Sequence, residues 1–384
     1  MTDKPRPDQA NPQARKRGQN EGSVYQRSDG RWVGAVTLGN GKRKTFYGPT
    51  RAAVARKVNR ALHEIEQGIT PADDRITVQA YLDDWLKKAK PDLRYSTHRG
   101  YEQIIRLHLG PELGKIRLSK LSPDDVEDFI GRKIDAGLSP RTVQYCHAVL
   151  RVALQKAVRY GKIPRNVASL VDAPKVSREP VKPLTTKEAK ALLKAASGDP
   201  LEALYVATLA LGLRRGEACG LKWSDVDLKA RRLWIRRALQ HQKGRGLVEV
   251  EPKSRTSRRA LPVPPFVVQA LKDHRKRQAA QRLAMGPDWK AGEWVFTMED
   301  GRPVSPDYVN VAFPRVLKKA KIRHIRFHDL RHSCASFLFA RGCEMRLVME
   351  ILGHSQIALT ANTYTHLLPE GDRRAADAME SLFG

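Results

Sequence analysis

Paired cysteines are missing from this chain. Its four, Cys146, Cys219, Cys334 and Cys343, are scattered with no Cys-x-x-Cys pair. No disulfide framework or metal-binding pattern is therefore expected, and they read as reduced, mostly buried side chains of a cytoplasmic protein. Long apolar runs are missing too, and none approaches the ~18 residues of a membrane span. The first residues are polar and proline-rich with no hydrophobic stretch, unlike a secretory signal. Acidic residues are scarce: 41 Asp and Glu face 70 Lys and Arg, a formal net charge of +29. Such an excess concentrates a polyanion near the protein, which makes nucleic acid the leading partner. A basic membrane-surface protein would want a long amphipathic basic helix or a lipidation signal, and neither is found.

What is present divides the 384 residues into two or three domains. Residues 1–21 form a polar, basic tail expected to be disordered. In residues 22–68, Trp32, Gly34, Val36 and Leu38 alternate between turn signals at Ser28-Asp29-Gly30 and Gly39-Asn40-Gly41. A strand resumes over Lys42–Tyr47, and a helix with apolar positions at Val54, Val58, Ala61, Leu62 and Ile65 follows. The expected module is three short strands and one helix. Residues 1–70 hold fourteen Lys and Arg against six Asp and Glu, and a basic sheet of this size can enter a major groove. A structural cap on the next domain is the alternative.

A short linker, 69–75, leads to residues 76–175, which read as almost purely helical. Helices are expected over Val78–Lys88, from Ser96 through Tyr101, Ile104, Ile105 and Leu107, from Ser122-Pro123, and from Ser139-Pro140 to Gly161. Ser122 is placed as N-cap, with Asp125 completing a capping box. A second linker spans 176–184, and Thr185-Thr-Lys-Glu188 is a capping box that opens a mixed domain, 185–384. There we expect helices near 186–196 and 200–212 and strands near 232–238, 247–251 and 258–263. Further helices are expected near 265–283, 306–320, 329–341, 344–352 and 356–364. Residues 228–282 carry sixteen Lys and Arg against three Asp and Glu, so the strand region is strongly basic. The fold class is multidomain α+β: a small three-stranded module with one helix, an all-α bundle, and a mainly α domain with a small antiparallel sheet.

The polar residues that stand out lie in this last domain. His328-Asp-Leu-Arg331-His, Leu-Gly-His354 and Tyr364 put three groups able to hold or protonate a phosphate ahead of one tyrosine. Upstream, Arg214 in Leu-Gly-Leu-Arg214-Arg-Gly-Glu217 sits at a junction between helices. Lys253, in Glu-Pro-Lys253-Ser-Arg-Thr, is placed between two strands at an expected hairpin tip, close to Lys243, Arg245 and Arg255. Arg215, His332 and His366 adjoin these positions and read as solvated or phosphate-adjacent.

With Arg214, Lys253, His328, Arg331, His354 and Tyr364 in this order, residues 22–384 resemble the tyrosine recombinases, and within them the integrases of phages and integrative elements. The resemblance implies an arm-type DNA-binding module, a helical SAM-like core-binding domain and a catalytic domain. It also implies a homotetramer that exchanges strands pairwise through a Holliday junction. The partners would be double-stranded attachment sites of core and arm type, with a host DNA-bending protein and a directionality factor as candidate accessories. The location would be the nucleoid of a bacterial host.

The chemistry of the residues agrees. A phenolate attacking a phosphodiester piles negative charge on the non-bridging oxygens, which Arg214 and Arg331 can hold bidentately while staying charged at any working pH. Preorganised positive charge of this kind can stand in for a metal ion. Tyr364, with a free pKa of ~10, needs its proton removed or its anion stabilised. His328 is the candidate acid/base partner, His354 a donor to a phosphate oxygen, and Lys253 a proton source for the leaving 5′ oxygen. Glu217 is expected to orient its neighbours, since a carboxylate at the phosphate would repel it. The product would be a 3′-phosphotyrosyl enzyme that conserves bond energy and needs neither ATP nor metal.

Competing readings are a resolvase of the same chemistry, a type IB topoisomerase-like swivel, and a non-catalytic DNA-binding regulator. The apolar positions after Tyr364, among them Leu368, Ala375, Met379 and Leu382, suggest a tail that packs on a neighbouring protomer or on its own domain.

Overall fold

The computed structural model describes residues 23–37, 41, 43–66, 75–177, 182–252, 258–290 and 292–353. Among the expectations above, the tail 1–21, Leu38, most of the linkers, Lys253, the helix 356–364, His354, Tyr364 and the apolar tail lie outside these residues. The chain divides between Ser177 and Arg178 into two compact units.

The first unit opens with strands β1 (Ser23–Gln26), β2 (Trp32–Thr37) and β3 (Arg43–Gly48), paired antiparallel in that order, and helix α1 (Arg51–Glu66). Strand alternation puts Val24, Gly34 and Phe46 in one cross-strand row and Tyr25, Val33 and Tyr47 in the next. Val24, Trp32, Val36 and Phe46 pack with Val54, Val58 and Ala61 of α1. The helix comes so near that a Cβ on Gly34 would lie 2.5 Å from Val58 Cγ2 and 2.6 Å from Val54 Cγ1. Glycine is needed there for space alone. Tyr25 and Tyr47 stay more than half exposed on the other face.

The helices that follow are α2 (Val78–Ala89), α3 (Tyr95–Ile104), α4 (Gly110–Leu113), α5 (Pro123–Asp135) and α6 (Pro140–Arg159). The Ser122 cap forms as the sequence requires: its hydroxyl accepts from Asp125 N at 3.2 Å, and Ser122 N donates back to Asp125 Oδ2 at 2.9 Å. Gly161, at φ 63°, ends the run that α6 begins. Leu82, Leu109, Leu113, Phe129, Leu150 and Leu154 form the fully buried centre. One expectation shifts. Between α3 and α4 the chain widens into a π-helical turn, Ile105–Leu109. The wider turn keeps Ile104, Ile105 and Leu109 inside and swings Leu107 into solvent, where it is 42% exposed.

In the second unit α7 (Thr186–Ala196) starts at its capping box, with Glu188 N donating to Thr185 Oγ1 at 3.1 Å. Helix α8 (Glu202–Leu211) is apolar on all sides, as a central helix must be, and packs against α7, α10 (Pro265–Met285) and α12 (Asp329–Ala340). Helices α9 (Arg215–Cys219), α11 (Pro306–Ala320) and α13 (Met345–Leu352) complete the set among the described residues.

The sheet region differs from the expected three strands. Strands β4 (Val226–Asp227), β5 (Arg232–Ile235) and β8 (Arg259–Pro262) form one antiparallel sheet, and β6 (Ala238–Gln242) with β7 (Gly246–Val250) forms a separate hairpin. The expected strand 232–238 breaks at Arg236-Arg237, because both side chains turn to the buried carboxylate of Asp225. The hairpin turns between Gln242 and Gly246, and the strands expected to flank Lys253, β7 and β8, pair with β6 and β5 and not with each other.

Candidate active site

The site is assembled where α8 stops. Gly212 adopts φ 62° and caps the helix, and a Cβ there would lie 2.6 Å from Leu352 Cδ2. The chain then passes through buried Leu213 to Arg214, the residue before α9. Three-residue spacing at a helix start turns Glu217 back on Arg214. The Arg214 backbone N–H donates to Glu217 Oε2 at 3.1 Å and its Nη1 donates to Oε1 at 2.6 Å.

Glu217 also meets Arg259 of β8, whose Nη2 donates to Oε2 at 3.0 Å and Nη1 to Oε1 at 3.4 Å. The carboxylate side chain is only 4% exposed. Burial alone would raise its pKa; Arg259 first, and then Arg214, hold it below the ordinary range. It therefore stays ionised between two guanidiniums.

Arg331, the third residue of α12, is 2% exposed. Its Nη1 donates to Gly212 O at 2.6 Å and its Nη2 to Leu352 O. Arg214 Nη2 donates to Gly353 O at 2.8 Å, and Arg259 Nε to Ile351 O at 2.6 Å. Three arginines from three elements thus take the three successive carbonyls 351, 352 and 353. These groups lie at the C-terminal end of α13, where carbonyls lack helical partners and the helix dipole is negative. Gly353, at φ 64°, closes that end.

His328 precedes α12 and lies edge-on to His332, with ring centroids 5.2 Å apart. The residue as a whole is exposed. The surrounding protein disfavours imidazolium, and His332, Arg331 and Arg214 add to this, so the pKa is pushed down to about 4. His328 is a neutral imidazole near pH 7. Asp329 opposes the shift without cancelling it; its carboxylate is held by Arg326, whose Nη2 donates to Oδ1 at 2.9 Å and backbone N to Oδ2 at 2.8 Å.

Of the residues singled out in the sequence, Arg214, Glu217, His328 and Arg331 come together here, and Lys253, His354 and Tyr364 lie outside the described residues. His332 is half-buried against His328, not solvated. Arg259 was missed. Its only sequence signal is a charge on the inward row of a strand, where it alternates with buried Leu261.

Solved structures similar to this one include transposon and phage integrases bound to DNA. The Tn1549 transposon integrase in complex with a circular intermediate DNA is 24% identical and superposes with a TM-score of 0.69, covering 80% of this chain and 99% of that one. A lambda integrase tetramer bound to a Holliday junction matches with a TM-score of 0.57 at 19% identity, covering 91% and 96%. Residues 182–370 match the phage integrase family, and residues 77–134 match the phage integrase N-terminal SAM-like domain. An integrase of Saccharopolyspora erythraea is 31% identical, covering 94% of this chain and 96% of that protein, and an integrase of Streptomyces ambofaciens is 30% identical, covering 96% and 98%. The chain belongs to the phage integrase family of tyrosine recombinases.

Proposed function

We propose that this recombinase integrates and excises a mobile element by cutting DNA with Tyr364 and holding the strand as a 3′-phosphotyrosyl ester until a 5′-hydroxyl from the partner duplex displaces it. One observation supports the assignment of roles: Arg214 and Arg331, far apart in sequence, both donate to carbonyls at the end of α13, and neutral His328 lies within their electrostatic reach. Arg214 and Arg331 stabilise charge on the non-bridging oxygens, and His328 accepts the phenolic proton. His354 donates to a phosphate oxygen, Lys253 protonates the leaving 5′ oxygen, and Glu217 holds Arg214. The N-terminal module binds arm-type sites and the helical bundle binds core-type sites, on a tetramer in the bacterial nucleoid. A host DNA-bending protein and a directionality factor bias the direction.

The test is a nicked duplex carrying a candidate attachment sequence, incubated without magnesium with wild type and Tyr364→Phe. A covalent 3′ adduct with wild type only is the expected result. An adduct with both proteins overturns the assignment of Tyr364, and no adduct on any paired sites overturns the chemistry.

A further inference from the structure

We propose that Arg259 is a positioning residue for strand transfer, fixing Arg214 through Glu217 and fixing the end of α13 through Ile351 O. The inference rests on the functional reading above and extends it to a residue outside the set read from the sequence.

Arg259 is almost fully enclosed, with its side chain 7% exposed, so water screens it little. It grips both oxygens of Glu217, and the same carboxylate grips Arg214 through a side-chain and a backbone hydrogen bond. A planar guanidinium with a fixed fork suits this: one edge meets the carboxylate while Nε remains for Ile351 O at 2.6 Å. Arg259 stands on β8, held in register by β5, so a rigid strand and not a loop sets its location. Without it, Glu217 would be a buried carboxylate with one cation, and Arg214 would lose its fixed counterweight. Arg259 touches no reacting atom in this scheme. Its effect passes through Arg214 and through the backbone that leads to His354.

The experiment compares Arg259→Gln, Arg259→Lys and wild type on the nicked duplex at saturating DNA. The scissile phosphate is either natural or a methylphosphonate, which lacks the negative oxygen that Arg214 would hold. Misplacement of a catalytic group by about an ångström costs about 10²-fold. Arg259→Gln should therefore slow adduct formation on the natural phosphate by about that factor, with DNA affinity within a few-fold of wild type. On the methylphosphonate the same variant should approach the wild-type rate, and Arg259→Lys should recover part of the loss on phosphate. Equal losses on both substrates, or a loss confined to DNA affinity, overturn the proposal. If Arg259→Gln does not fold, Arg259→Lys and Glu217→Gln carry the comparison, and wild-type rates for both on phosphate overturn it. Failure of the functional reading is distinct, since wild type itself would then form no adduct.

Discussion

Ser333 receives a hydrogen bond from the backbone N–H of Leu184 at 2.9 Å, across 149 residues of sequence. Its hydroxyl proton goes to Asp329 O at 2.9 Å, within the helix that carries Arg331. The entry to the catalytic unit is thereby pinned to the active-site helix by one buried hydroxyl. Ser333→Ala leaves the Leu184 N–H unsatisfied and should cost about 1–3 kcal/mol. A lowered thermal midpoint, with adduct formation at low temperature nearly unchanged, is the expected outcome; an unchanged midpoint would contradict the accounting.

Arg331→Lys preserves charge and removes the fork. An ammonium cannot serve Gly212 O and Leu352 O with the same geometry and also hold a phosphate. Adduct formation should fall by about 10²–10³-fold, the usual cost of losing one preorganised donor. Single-turnover rates at saturating DNA are the measurement.

Gly212 and Gly30 give a matched pair. Both have positive φ, 62° and 80°, but a Cβ on Gly30 meets nothing within 4 Å while one on Gly212 meets Leu352. Gly30→Ala should cost about 1–2 kcal/mol from the backbone alone. Gly212→Ala should cost about 1–3 kcal/mol more from overpacking, and should also slow strand cleavage by displacing α13 from α8. Urea melts of the two variants, read beside cleavage rates, separate strain from overlap.

Acid should destabilise the native state before its carboxylates titrate. His274, His328 and His332 all lie below the ordinary histidine pKa, chiefly through burial. Below ~6.5 the unfolded chain takes up protons that the native chain refuses. Stability is therefore full above ~6.5 and declines as pH falls toward the native value of about 4 for His328. Thermal midpoints between pH 7.5 and 4.5 should fall for wild type and fall less for His328→Gln. Parallel curves for the two proteins would count against a depressed His328.

Gly34→Ala should loosen α1 from its sheet, because the new methyl lands on Val54 and Val58. Binding to arm-type sites should weaken while cleavage at an isolated core-type site continues at the wild-type rate. Gel shifts on arm-type sites and adduct-formation rates on an isolated core-type site, with the same protein preparation, report the two effects.

Local signals carried the sequence reading furthest. The caps at Ser122 and Thr185 are complete within four residues, so their chemistry could be read before any fold was known. The Leu-Gly-Leu-Arg214 junction was legible for the same reason: a glycine ends one helix and the next residues begin another. Pairing across the sheets was not. Gln240 and Gln242 in β6 are polar and break the alternation that marks a strand, so the sequence does not show the β6–β7 hairpin, nor that β7 and β8 pair with other strands and not with each other. Arg259 was illegible for a different reason. Its partners, Glu217 and Ile351, lie 42 and 92 residues away, and nothing in Arg-Arg-Ala-Leu-Pro distinguishes it from the exposed Arg258 beside it.

The carbonyls at 351, 352 and 353 also bear on how DNA affinity responds to salt. Arg214, Arg259 and Arg331 are already paired inside the protein, with Glu217 and the negative end of a helix. On the proposed function, a phosphate arriving at these three arginines would rearrange existing hydrogen bonds. Counterions released on binding come from the DNA in proportion to phosphates neutralised by accessible Lys and Arg, ~0.9 per contact on duplex. The net charge of +29 thus overstates what DNA encounters at the centre of the site. The steep ionic-strength dependence belongs to the outer basic surfaces, which gather the duplex. On the function proposed above, it is Arg214 and Arg331 that set how fast a held phosphate reacts.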